Sequence, residues 1–152
     1  ITAGPWPTYF PTNANGKSRR HGTEFDLSVK LREKLELHSN YTYVISRDAN
    51  KDIESRRPRH EFFMRVRRSF QTEKQYVEIN IKNVADNYDA YPTNWSQRKM
   101  PDYTVTGLNI GWQLGGIAIY SGLSNLFDVN TSDVWGYRNQ GCSFYLTAKK
   151  VW

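Results

Sequence analysis

Lys51, Arg56, Arg57 and Arg59 crowd one short polar stretch of the chain. A cation cluster of that kind in an exposed loop attracts an anionic ligand, clamps phosphate groups, or stays a solvated basic loop. A second set is aromatic. Tyr91, Trp95, Trp135 and Tyr137 fall in polar segments, where a ring stacks on a ligand or sits at a membrane–water boundary. Nothing in the spacing supports covalent or acid–base chemistry. The chain has no Gly-x-Ser-x-Gly, no His-Glu-x-x-His and no phosphate loop. Cys142 is the single cysteine, so neither an internal disulfide nor a cysteine-built zinc cluster is open to this sequence. Asp48, Asn50 and Asp52 have the first spacings of a calcium loop, but Ile53 stands where that loop needs Gly and Arg59 where it needs Glu. These residues bind rather than transform. The reading is of a chain that is no enzyme, with no metal and no cofactor.

The elements that position these groups follow from period-two alternation. In 24–32, Phe25, Leu27, Val29 and Leu31 share one face, opposite Glu24, Asp26, Ser28, Lys30 and Arg32. Leu35, Leu37, Tyr41, Tyr43 and Ile45 continue the apolar face, as do Phe62, Met64 and Val66, then Val77, Ile79 and Ile81. Leu108, Ile110, Trp112 and Leu114 follow, then Ile117, Ile119 and Leu123, and last Phe144, Leu146, Ala148 and Trp152. No segment has a helical period. The sum is an all-β chain of about seven antiparallel strands, each near the ~9–11 residues of a tilted membrane strand. Its connections alternate. Residues 33–34, 71–74 and 115–116 make tight turns, whereas 48–58, 91–102 and 129–141 are long, polar and rich in aromatics.

Composition narrows the class. Mean hydropathy is −0.74 while aromatics reach 14%, a combination that argues against disorder. The formal net charge of +6 admits nucleic acid, anionic lipid or an anionic ligand as partner. A nucleic-acid platform needs aromatics and cations on one solvent face, and the mid-strand aromatics are expected mostly on the aliphatic face. A small soluble barrel holding an apolar ligand needs apolar side chains inside, and here the second face is charged. Lipid outside and a wet interior satisfy both faces at once. A soluble basic β-barrel that binds nucleic acid or an apolar ligand remains the alternative reading.

The order of several short motifs resembles the C-terminal third of a TonB-dependent outer-membrane receptor, the family of ferric-siderophore, haem and cobalamin transporters. Asn15 and Gly16 precede Gly22 and Glu24 in NGKSRRHGTEF, and NYTYVISRD resembles the family's Ser-Tyr-Thr-Tyr strand. Arg57, Pro58 and His60 match an Arg-x-Pro-x-His step. Asn125, Leu126, Phe127 and Asp128 match its Asn-Leu-Phe-Asp signature, followed by GYRNQG and a terminal aromatic. Two departures stand out: Gly141-Cys142 where the family has Gly-Arg, and Lys150 within the outward apolar row, from which it must snorkel to the interface.

The resemblance implies that residues 1–152 form the C-terminal part of a barrel of about 22 strands, with the plug domain and earlier strands outside this chain. It implies an outer membrane of a Gram-negative bacterium, with lipid and lipopolysaccharide around the barrel. The other implied partners are the plug, TonB, the barrel-assembly machinery and a metal chelate or similar ligand; nucleic acid is not among them. Under that reading Arg56, Arg57, Arg59, Tyr91, Trp95, Trp135 and Tyr137 belong to the ligand-facing outer loops. Glu24, Lys30, Arg32, Glu61, Arg65, Arg67, Glu78 and Lys82 line the lumen, more as ion pairs than as a filter. Phe144, Leu146 and Trp152 carry the signal that the assembly machinery recognises.

Overall fold

The computed structural model describes residues 16–71, 73–90 and 96–150. Tyr91, Trp95 and Trp152, and Asn15 of the first motif, lie outside the described residues. Among the described residues nine strands follow in chain order: β1 Arg19–Arg32, β2 Leu35–Arg47, β3 His60–Ser69, β4 Tyr76–Ala85, β5 Tyr88–Ala90, β6 Gln97–Lys99, β7 Tyr103–Leu114, β8 Ile117–Ser124 and β9 Ser143–Lys150. Seven of them form one antiparallel sheet in the order β1-β2-β3-β4-β7-β8-β9, and β5 pairs with β6 apart from it. Among the described residues there is no helix.

Alternation sets the register, because a slip of one residue would carry every apolar side chain to the other face. One cross-strand row runs Val29, Leu37, Val66, Ile79, Leu108, Leu123 and Phe144 through all seven strands. The next row runs Lys30, Glu36, Arg67, Glu78, Asn109, Gly122 and Tyr145. A wholly apolar row therefore lies beside a row whose first four members alternate in charge.

Among the described residues no second layer covers the apolar face. Leu114 is 71% exposed and Phe144 65% exposed, although both sit in regular sheet. An apolar sheet face without a protein cover is unstable in water and suits hydrocarbon. The buried apolar residues are Val84, Met100, Tyr103 and Ala118, and the first three lie at the end of the sheet where the long connections gather.

The two ends differ as the sequence suggests. Tight turns at 33–34, 70–75 and 115–116 share one end, and the connections 48–59, 86–102 and 125–142 share the other. Gly115 and Gly116 both take left-handed φ, 54° and 81°, as a two-residue hairpin needs to match strand twist.

Two expectations need correction. Arg32 does not continue the charged row. The register shifts between Lys30 and Arg32 and sets Arg32 opposite Leu35, on the apolar side next to the tight turn. The aromatics also divide between the faces. Phe63, Tyr76, Tyr103, Tyr120 and Tyr145 share the polar face with Glu78 and Lys82. Tyr76 and Tyr145 lean over glycines: a Cβ at Gly111 would stand 2.3 Å from the Tyr76 ring, and one at Gly122 would stand 2.5 Å from the Tyr145 ring.

Candidate functional site

The long-connection end is held together by carboxylates. Asp89 in β5 is 2% exposed. Its Oδ1 accepts from Arg56 Nε at 3.0 Å and from the Ala90 N–H at 2.9 Å, and its Oδ2 accepts from the Trp135 N–H at 2.7 Å. One side chain thus joins the 48–59 and 125–142 connections to β5. Burial works against ionisation at Asp89, but the N–H donors of Trp135, Arg56 and Ala90 outweigh it and hold the carboxyl below its usual range.

Asp133 makes a second joint. It accepts Tyr103 Oη–H at 2.8 Å and the Asn139 amide at 2.9 Å, and its carbonyl accepts the Asn87 amide at 3.1 Å. Asp86 makes a third, with Lys99 at 2.7 Å and Arg59 at 3.7 Å. The hydrogen bond from Lys99 is the main reason its carboxyl lies below the usual range. Backbone bonds from Arg56 N–H to the Tyr88 carbonyl, 2.7 Å, and from Arg59 N–H to the Asp86 carbonyl, 3.2 Å, seal the layer.

Glu54 pins the 48–59 connection to the sheet. Arg20 Nε donates to it at 2.7 Å, and Ser46 Oγ donates as well. These donors, Arg20 first, bring the Glu54 carboxyl down to about 2. The Asp48 carboxylate accepts the N–H groups of Asn50 and Asp52, both at 2.9 Å. The calcium-like spacing of 48–52 is thereby accounted for as a turn closed by its own aspartate.

The cations of 51–59 divide by role. Arg59 is engaged with Asp86, and Arg56 with Asp89 although its side chain is 62% exposed. Arg57 is exposed and makes no ion pair within 4.0 Å among the described residues. Arg20, Arg56, Arg57, Thr42 and Glu61 line a groove of about 560 Å³ on the polar face, beneath the long connections. Beside it a smaller pocket of about 200 Å³ is lined by Lys82, Tyr103 and Asn87, and the buried Oδ1 of Asn87 has no hydrogen-bond partner among the described residues. Of the predicted aromatics, Trp135 lies under the Arg98 guanidinium, 4.1 Å from the ring centroid, and Tyr137 is exposed.

Lower on the polar face, Glu78 stands between Arg65 at 3.8 Å and Arg67 at 3.7 Å and accepts the Asn109 amide at 3.0 Å. Arg67 also stacks on Tyr76, 3.6 Å from the ring centroid. Glu24, Lys30, Glu61 and Lys82 lie on the same face. Sequence reasoning missed Asp86, Asn87, Asp89 and Asp133. Asp89 acts on residues 33 and 46 positions away, so the only local signal is an acid set among aromatic residues.

The Asn125–Asp128 motif is a knot at the foot of the last long connection. Asn125 and Asp128 have φ of 49° and 50°, a region that Asn and Asp tolerate better than most residues. The Asn125 amide donates to the Val129 carbonyl and accepts the Val129 N–H, each at 2.9 Å. Asp128 accepts the Cys142 N–H at 2.9 Å, and a Cβ at Gly141 would lie 2.5 Å from Asp128 Oδ1.

Residues 1–126 match the family described as TonB dependent receptor-like, beta-barrel. No match was found among curated proteins. Among solved structures, the chain is similar to FpvA of P. aeruginosa bound to a heterologous ferric pyoverdine, with a TM-score of 0.72 and 17% identity over 86% of this chain and 19% of the receptor. FpvAI in complex with pyocin S2 gives a TM-score of 0.72 and 16% identity over 86% and 20%. The ferric-catecholate import receptor Fiu of E. coli K12 gives 0.63 and 20% over 88% and 21%. The chain thus spans about a fifth of the length of these receptors. With a family match over most of its length and a seven-stranded sheet that superposes on barrel walls, the chain belongs to the TonB-dependent receptor-like β-barrel family, a family of transporters and not of enzymes.

Proposed function

We propose that residues 1–152 are the C-terminal part of the barrel wall of a TonB-dependent transporter in the outer membrane of a Gram-negative bacterium, and that its cargo is a scarce nutrient carried as an anionic ferric chelate. Haem and cobalamin are the other cargoes of such a receptor. The plug, the earlier strands of a barrel of about 22, and the contact with TonB belong to the rest of the protein. The tight turns face the periplasm and the long connections face outside. Phe144 and Leu146 lie on the lipid-facing rows, where the assembly machinery would read them.

One observation carries the reading of the cargo. The carboxylate-clamped connections hold Arg56 and Arg57, with Arg20, around a groove on the face that becomes the lumen. Arg20 and Arg56 have acidic partners, Arg57 makes no ion pair within 4.0 Å among the described residues, and the groove lining sets three arginines against one carboxylate, Glu61. The resemblance in fold to receptors for ferric pyoverdine and ferric catecholate supports the same class of cargo. Capture at this rim, then plug movement driven by TonB, delivers the cargo through the lumen.

The test uses the whole receptor with Arg57→Ala, assayed for binding of anionic ferric siderophores, haem and cobalamin. The expected outcome is weaker binding of a ferric siderophore by about tenfold, with normal insertion in the outer membrane. Unchanged affinity for every ferric chelate, or a dependence on Arg57 seen with cobalamin alone, would overturn it.

A further inference from the structure

We infer that Tyr145, seated over Gly122, is the residue that sets the register of the last strand, β9, against β8. The inference rests on the sheet itself, and neither the cargo nor the membrane orientation proposed above enters it.

Alternation leaves this register open. A slip of one residue would exchange the faces of β9. A slip of two returns Phe144, Leu146 and Ala148 to the apolar side and Ser143, Tyr145, Thr147 and Lys149 to the polar side. Elsewhere a tight turn settles the matter: residues 33–34 fix β1 on β2, and residues 115–116 fix β7 on β8. Between β8 and β9 the connection runs from 125 to 142, and its length leaves the count free. Main-chain bonds repeat at every second residue, so they hold a slipped strand as well as a correct one.

A side-chain fit that exists in one register must therefore choose. On the polar side β8 presents Ala118, Tyr120, Gly122 and Ser124, and Tyr145 stands opposite Gly122. A Cβ added to Gly122 would lie 2.5 Å from the Tyr145 ring and 2.5 Å from Asn109 Oδ1, so the ring uses the space of the missing side chain. It crosses β8 completely, and its hydroxyl donates to Asn109 Oδ1 in β7 at 3.0 Å. Asn109 is held from its other side, where its amide donates to Glu78 at 3.0 Å.

A slip of two residues would set Tyr145 against Tyr120 or Ser124, in either case away from the glycine slot and from Asn109. A second fit lies at the loop foot, where Asp128 accepts the Cys142 N–H and crowds any Cβ at Gly141. That fit holds a loop, whereas Tyr145 ties three strands together. In a closed barrel the register of one strand pair also sets the stagger handed to the next.

The experiment cross-links the full receptor refolded into vesicles, with Cys142→Ser in the background and cysteine pairs placed on the polar face. Ser124→Cys with Ser143→Cys reports the register described here. Ala118→Cys with Thr147→Cys, and Tyr120→Cys with Lys149→Cys, report slips of two residues in the two directions. Without further change, the first pair alone should cross-link. Tyr145→Thr should lower the ratio of in-register to slipped cross-links about tenfold. Tyr145→Phe keeps the ring but loses the bond to Asn109, and should lower it about threefold. Gly122→Ala should lower the ratio as well, yet add nothing to Tyr145→Thr, because the slot then has no ring to admit. An unchanged ratio in Tyr145→Thr would overturn the proposal, as would full additivity of those two changes or a ratio that falls only with Asp128→Ala. Where Tyr145→Thr does not refold, Tyr145→Phe decides, and an unchanged ratio there overturns the proposal equally.

Discussion

Single carboxylates decide the behaviour of the outer layer. Glu54 has a lowered pKa, so the stability it contributes is complete above the ordinary value of 4.5 and is lost as pH falls through about 2. Thermal unfolding of the receptor should show Glu54→Gln destabilised at neutral pH, with the gap to the unmodified protein closing between those two values. A gap that persists at pH 2 would mean that Glu54 acts through packing. Asp89→Ala leaves the Trp135 N–H and Arg56 without their acceptor. Because Arg56 is largely exposed, water re-solvates it, and the expected loss is about 1–3 kcal/mol. Hydrogen exchange should rise together in 54–58 and 132–137, and a rise in one segment only would contradict the shared clamp.

Elements show why certain small or turn-forming residues stand where they do. Asn125 holds a left-handed backbone and two bonds to Val129, so Asn125→Ala should cost roughly 2 kcal/mol. The sign of that loss is slower assembly into the heat-modifiable folded form on gels; wild-type assembly would rule out a structural role for the knot. Gly111 lies under Tyr76, whose other contact is the Arg67 guanidinium. A valine there would push the ring aside and disturb the Arg67–Glu78 pair below it. The strands themselves were legible from alternation, and their pairing follows it. The bulge that turns Arg32 away was not, since it depends on how the 33–34 turn meets β2, and nothing in a run of alternating residues marks where the count shifts.

For the whole molecule, the sheet presents one apolar and one polar face, and the proposed reading sets lipid against the first. Leu108 sits mid-row on the apolar face, and Leu108→Arg should cost about 2–4 kcal/mol of insertion free energy at the bilayer midplane. Asn80→Lys, on the polar face of β4, should be tolerated. Urea titration of the receptor folded into vesicles measures both. Equal effects would deny the assignment of faces. The sheet has two open edges among the described residues, β1 and β9, which under the proposed reading pair with other strands of the receptor.

The sequence by itself determined the class of fold, the two faces, the unequal ends and the family motifs, because period-two alternation and turn residues are local signals. It also marked Arg56, Arg57 and Arg59 as a basic loop. Only the tertiary structure decided what each touches: Arg59 and Arg56 serve the clamp, and Arg57 has no ion pair among the described residues. The physical reason is distance along the chain. Asp86, Asp89 and Asp133 act on residues brought to them by strand pairing, and a lone acid in a polar loop carries no sign of which cation or N–H will reach it. The tie between Tyr145 and Asn109 is of the same kind, for two residues 36 positions apart meet only when β7, β8 and β9 pair.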